Sequence, residues 1–141
     1  MKLKTGTNKN LRNQNCRVAV YRRVGDHPGA DDFLSMEEKM YRYMIAERGR
    51  TFAGFYGEVG KPNAVRQKLL QACKEGQIDM IMVNSLSRLE RDSAKGIGII
   101  EELAALPKPV EVYVEKMNLF SLDESDKQIL EVLKQFMEEE K

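Results

Sequence analysis

Hydrophobic and polar positions along this chain switch between a strand-like and a helix-like period, and the switches predict alternating elements after a polar leader over 1–15. CRVAVYRRV (16–24) is β-branched and apolar enough for a buried strand, and GDHPGADD after it is a loop by its Gly, Pro and Asp content. Leu34, Met36, Met40, Tyr41, Tyr43, Met44 and Ile45 then recur at mostly helical spacing. Ser35 and the pair Glu37–Glu38 suit the start of that helix, which is expected to end near Gly49. TFAGFYGEV alternates as a second strand, and in the GKPN loop Asn63 is placed to cap the helix AVRQKLLQACKEG. IDMIMVNSL is the most continuous apolar run and predicts a central parallel strand. SRLERD reads as a polar connection, SAKGIGIIEELAALP as a helix stopped by Pro107, and VEVYVEKM as a further strand. The last segment, SLDESDKQILEVLKQFMEEEK, is an amphipathic helix with Ile129, Leu130, Leu133, Phe136 and Met137 on one stripe.

This β-α-β-α-β-α-β-α order predicts a three-layer α/β/α fold: a mostly parallel sheet of about four to five strands with right-handed crossovers, ending in an amphipathic helix. The expected division is a basic leader over 1–15 and one domain over 16–141. In such sheets ligands bind beyond the carboxyl ends of the strands. Three polar stretches fall at those ends: RRVGDH, FYGEVGKPNAVR and NSLSRLERD.

Arg23, Arg66, Arg88 and Arg91 lie on or just after predicted strand ends, so the fold would bring them to one edge of the sheet. Arginine forks two N–H donors onto phosphate oxygens and stays protonated at any working pH. Such a set can bind an anion or stabilise a phosphoryl-transfer transition state. The plainer alternative is that Arg88 and Arg91 pair on the surface with Glu90, Asp92 or Glu58. GIGII contains a Gly-x-Gly pair, but inside a helix, so no dinucleotide-binding turn is supported.

Composition narrows the choice by exclusion. A net charge of +1 does not by itself announce nucleic acid. Its distribution says more, because residues 1–23 carry Lys2, Lys4, Lys9, Arg12, Arg17, Arg22 and Arg23 and no acid, whereas the last helix is mostly acidic. Cys16 and Cys73 are far apart without metal-ligand spacing, and His27 stands alone in a Gly-Pro loop, so no metal site and no disulfide are expected. No apolar run approaches a membrane span and the basic start has no signal-peptide core, which predicts a cytoplasmic protein.

Four motifs together resemble one family. Y-x-R-V-x at Tyr21 to Gly25, S-M-E-E-K at Ser35 to Lys39, Arg66 opening a helix after a Gly-containing loop, and S-R-L-E-R-D at Ser87 to Asp92 are similar to the catalytic domain of serine recombinases, the resolvase/invertase family. The resemblance extends over nearly all of 16–141. It implies a domain that cuts DNA by attack of a serine hydroxyl on a phosphodiester, forms a phosphoserine link and exchanges strands within a tetramer, without a cofactor.

In that family the residue after Y-x-R-V is the nucleophilic serine, and here it is Gly25, which has no hydroxyl. Other departures run the same way. Ser87 stands where the family has Asp, Lys39 where it has Gln, Gly57 where an Asp near the end of the second strand is usual, and Gly60–Lys61 where Ser-Gly is usual. Arg23, Arg66, Arg88 and Arg91 match the family's phosphate-contacting set. The resemblance therefore implies a retained anion cage around a vacant nucleophile position: a pseudo-enzyme of DNA recombination in mobile elements. Ser87, Ser85 and Ser35 are the substitute hydroxyls to weigh, against loop or helix-start roles for each.

The chain stops at FMEEEK, where the family continues through a basic arm into a DNA-binding module, and no helix-turn-helix or zinc ribbon follows. Three functional classes are expected to compete. One is an inactive recombinase-like domain that binds DNA phosphate or associates with itself or an intact recombinase through Ile129, Leu133, Phe136 and Met137. The second is an active strand-cleaving enzyme that uses another serine or a heteromeric site. The third is a small-anion or nucleotide-binding α/β domain.

Overall fold

The computed structural model describes residues 16–139, so the basic leader lies outside the described residues. Five strands, β1 (Arg17–Val24), β2 (Thr51–Val59), β3 (Met80–Val83), β4 (Glu111–Val114) and β5 (Leu119–Phe120), form one sheet in the order β2-β1-β3-β4-β5. The first four are parallel, as the alternation with helices requires, and β3 is central. The short β5 returns antiparallel to β4 after a 3₁₀ turn at Glu115–Met117, where Asn118 adopts a left-handed conformation. The sequence pattern carried the strand VEVYVEKM through this 3₁₀ turn and marked no strand at Leu119–Phe120, because two residues cannot display a period.

The helices are α1 (Ala30–Glu47), α2 (Ala64–Lys74), α3 (Leu86–Leu89), α4 (Ser93–Ala104) and α5 (Glu124–Glu139). Alternation along the strands separates two cores. Val18, Val20, Met80, Met82 and Tyr113 face Tyr41 and Ile45 of α1. Ala19, Tyr21, Ile81, Val83, Val112 and Val114 face the side carrying Leu69 of α2, Leu86 and Leu89 of α3, Ile97 and Ile100 of α4, and Leu130 of α5. The sheet is therefore buried on both faces, which is why β3 reads as an unbroken apolar run.

Several element ends differ from the sequence expectation, each for a local reason. Helix α1 begins at Ala30, with Asp31 and Asp32 in its first turn, so Ser35 sits inside the helix rather than at its start. Gly29, at φ 86°, supplies the left-handed residue that turns the loop into this helix. Asn63 makes no side-chain cap on α2; its own N–H and that of Val65 donate to Glu58 Oε1 at 2.8 and 3.3 Å. The polar connection SRLERD contains the turn α3, whereas Asp92 caps α4 by accepting from the N–H groups of Ala94 and Lys95. Helix α4 stops at Ala104, ahead of Pro107. Beside β1, β2 carries a bulge that pairs Val18 with Phe52 but Ala19 with Gly54. Gly54 has φ 134°, and a Cβ there would stand 3.0 Å from the Tyr56 ring.

Candidate functional site

The carboxyl ends of β1, β3 and β4 open onto a cleft of about 410 Å³ lined by Arg23, Asn84, Ser85, Ser87, Arg88, Arg91 and Lys116. The register explains why these residues meet. Tyr21, Val83 and Val114 are partners across the three strands and share one face of the sheet. Two residues further along each chain stand Arg23, Ser85 and Lys116, and the N–H of Lys116 donates to the Asn84 carbonyl at 2.9 Å, which prolongs the β3–β4 ladder into the cleft.

Arg23 is buried, and its guanidinium is held by backbone. Nε donates to the Arg88 carbonyl (3.0 Å), Nη1 to Gly60 (2.9 Å) and Nη2 to Ser87 (2.6 Å). Burial lowers its pKa, and the like charges of Arg88 and Arg91 push the same way. Three carbonyl bonds leave two of the five N–H groups of a guanidinium for other partners. Arg23 thus fastens the 84–91 segment to the end of β2 while lining the cleft.

Arg66, in the first turn of α2, is placed differently. Its Nη1 donates to the Leu89 carbonyl (2.9 Å) and pairs with Glu90 Oε2 (2.7 Å), and it does not line the cleft. The Arg66 hydrogen bond is the main cause of a lowered Glu90 pKa. With Glu90 taken by Arg66, Asp92 capping α4, and Glu58 accepting from the buried Tyr21 hydroxyl (2.7 Å), the three acids expected to neutralise Arg88 and Arg91 are all engaged elsewhere. Among the described residues, Arg88, Arg91 and Lys116 have no side-chain ion pair. Among the described residues no carboxylate or imidazole lines the cleft.

Gly25 is exposed and is not among the lining residues, and a Cβ built on it meets nothing within 4 Å. Of the substitute hydroxyls, Ser85 and Ser87 do line the cleft, with their Oγ atoms 3.1 Å apart, whereas Ser35 is exposed on α1 and does not. A serine nucleophile needs a route for its proton, and among the described residues the cleft offers cations, hydroxyls and one amide but no carboxylate or imidazole.

The sequence offered Glu58 only as a surface partner of Arg88 or Arg91 and did not mark Lys116 at all. Glu58 is a buried carboxylate at the end of β2, joining Tyr21 to the start of α2. The missing carboxyl expected from Gly57 is thus accompanied by one a single residue on; at Gly57 itself a Cβ would stand 2.9 Å from the Phe55 ring. The sequence signal was an acid at a strand end followed by a loop and a helix start. Lys116 is the other, and its signal was the lysine in VEVYVEKM directly after β4.

The proposed interface residues divide. Ile129 and Phe136 are exposed, together with Val132, but Leu133 and Met137 pack inward against the core. Elsewhere, Cys16 and Cys73 are buried free thiols pushed up to about 11 and about 12, in both cases mainly by burial, so neither is a reactive thiolate at neutral pH. Among the described residues no helix is long and apolar enough to cross a membrane, and no cluster of metal-ligating side chains occurs.

The family model described as "Resolvase, N terminal domain" matches residues 18–141. Curated protein sequences gave no match. Among solved structures, the N-terminal catalytic domain of TP901-1 integrase is similar at TM-score 0.67 and 18% identity, covering 88% of this chain and 95% of that one. A resolvase family site-specific recombinase from Streptococcus pneumoniae is similar at TM-score 0.64 and 16% identity, covering 89% and 90%. The C-terminal catalytic domain of ISC1926 TnpA, an IS607-like serine recombinase, is similar at TM-score 0.54 and 12% identity, covering 86% and 98%. At these identities the likeness is one of fold.

Proposed function

The chain belongs to the resolvase N-terminal-domain family, the catalytic-domain family of serine recombinases in DNA recombination, and from that membership we propose a member that grips DNA phosphate without cutting it. One observation carries the reading: Arg88, Arg91 and Lys116 line one cleft without carboxylate partners among the described residues, while the position where the resemblance expects the nucleophile holds Gly25. Unneutralised cations at close range favour an anion, and a phosphodiester fits arginine forks. Arg88 and Arg91 are the direct contacts, Arg23 contributes its remaining N–H groups, and Arg66 positions the 84–91 segment through Leu89 and Glu90. Among the described residues that line the cleft, no carboxylate or imidazole stands ready to take a proton from Ser87 or Ser85.

In this role the protein, acting in the cytoplasm on the DNA of mobile elements, would occlude a site or modulate an intact recombinase with which it associates. Titration of labelled duplex and single-stranded DNA tests the reading. Wild-type protein is expected to bind with a steep salt dependence, and the Arg88→Ala, Arg91→Ala variant to lose about two units of the log–log salt slope. A flat salt response in the wild type, or an unchanged slope in the variant, would reject phosphate binding. A variant defect confined to a nucleotide or small anion would favour the small-anion reading instead.

A further inference from the structure

The cleft is wider than the arginine set alone would make it. Arg23 and Lys116 stand two residues beyond in-register partners on β1 and β4, with β3 between them, so their backbones are about two strand spacings, roughly 10 Å, apart. The Arg23 guanidinium is anchored toward the end of β2 by the Gly60 carbonyl, which holds it back from the β4 side. Lys116 is exposed and has no ion-pair partner among the described residues, and only its backbone N–H is engaged, with Asn84. From Arg23 to Lys116 the cations thus extend over two strand spacings along the sheet edge, with Arg88, Arg91 and the Ser85 and Ser87 hydroxyls in the same cleft.

Cations extended in this way match a chain of anions. We infer that Lys116 holds a second phosphate, the strand neighbour of the one gripped by Arg88 and Arg91, so that the cleft takes at least two successive phosphates of a nucleic-acid strand. This rests on the phosphate-binding reading above and adds a contact outside the four arginines. Lysine suits the position, because a flexible point charge can follow the second phosphate without fixing its orientation.

The test compares wild type, Lys116→Ala and the Arg88→Ala, Arg91→Ala variant in two assays: salt-dependent binding of a labelled oligonucleotide, duplex or single-stranded, and calorimetric binding of inorganic phosphate. Lys116 is exposed and its backbone bond survives truncation, so Lys116→Ala is expected to fold as wild type. Lys116→Ala should reduce the oligonucleotide salt slope by about one unit. It should leave inorganic phosphate binding intact, while the arginine variant loses it. An unchanged slope would overturn the inference, and so would loss of inorganic phosphate binding in Lys116→Ala, which would make lysine and arginines partners on a single phosphate. If the wild type shows no salt-dependent binding, or the arginine variant behaves as wild type, the parent reading fails and this one with it.

Discussion

Gly25 is the residue on which the chemistry turns, and its surroundings decide what restoring a hydroxyl could achieve. A Cβ there meets nothing within 4 Å and the backbone is not left-handed, so Gly25→Ser should change stability by less than about 0.5 kcal/mol. The position is nevertheless not among those that line the cationic cleft. A serine there would act beside Ser87, Lys39 and Gly57 rather than the Asp, Gln and Asp that the family resemblance implies, and misplacement of a nucleophile by even an ångström costs orders of magnitude in rate. Gly25→Ser is therefore expected to melt as wild type and to form no covalent DNA adduct by itself, as read on denaturing gels. An adduct would mean that the glycine is the one missing component. Arg23 teaches the complementary lesson: the sequence marks it as a phosphate ligand, but three backbone carbonyls make it equally the fastener of the loop that presents Arg88 and Arg91.

Among the elements, α5 carries the clearest consequence. Its apolar stripe is two stripes: Leu130, Leu133 and Met137 face the core, and Ile129, Val132 and Phe136 face outward. Position in a 3.6-residue period groups neighbours without saying which of two adjoining faces meets the sheet. An outward triad on a terminal helix suits self-association or pairing with a related chain. Light scattering should show wild-type protein as a dimer or larger and an Ile129→Lys, Phe136→Glu variant shifted toward monomer, with melting temperature unchanged when extrapolated to low concentration. A wild-type monomer at high concentration would remove α5 as an interface. Glu58 also acts at this scale, since it joins the buried Tyr21 of β1 to the first turn of α2, a role that Asn63 would have had if sequence preference alone set the cap.

The stability of the whole molecule is tied to pH through Glu111. It is fully buried at the start of β4, with Oε2 accepting from the Leu122 N–H at 3.2 Å and Oε1 without a hydrogen-bond partner. Burial, with Asp123 and Asp126 nearby, pushes its pKa up to about 8 from an ordinary value of 4.5. The native state therefore keeps a proton that the unfolded chain releases. This contribution to stability is fully present below about pH 4.5 and falls as pH rises through about 8, at up to about 1.4 kcal/mol per pH unit. Glu111→Gln keeps an acceptor for Leu122 and cannot ionise. Urea melts between pH 5 and 8 should show a flatter profile and greater stability at the alkaline end for Glu111→Gln. A variant that parallels wild type would place the titration elsewhere.

Much of this architecture was legible in one dimension. The β-branched apolar stretch of β1, continuous apolarity in β3 and helical spacing in α1 and α5 reflect burial that each segment enforces on itself, so the α/β order and the parallel sheet follow from the sequence. The four arginines were visible as residue types near strand ends. Which of them keep a free charge was not, because that depends on competition among Glu58, Glu90 and Asp92, which come together only when β2, α2 and the 84–91 segment meet. Lys116 enters the cleft for the same reason. Nothing local distinguishes it from other surface lysines, and only the parallel register of β1, β3 and β4 sets it level with Arg23. Sequence determines what a segment must bury; the tertiary structure decides which charges are left facing one another.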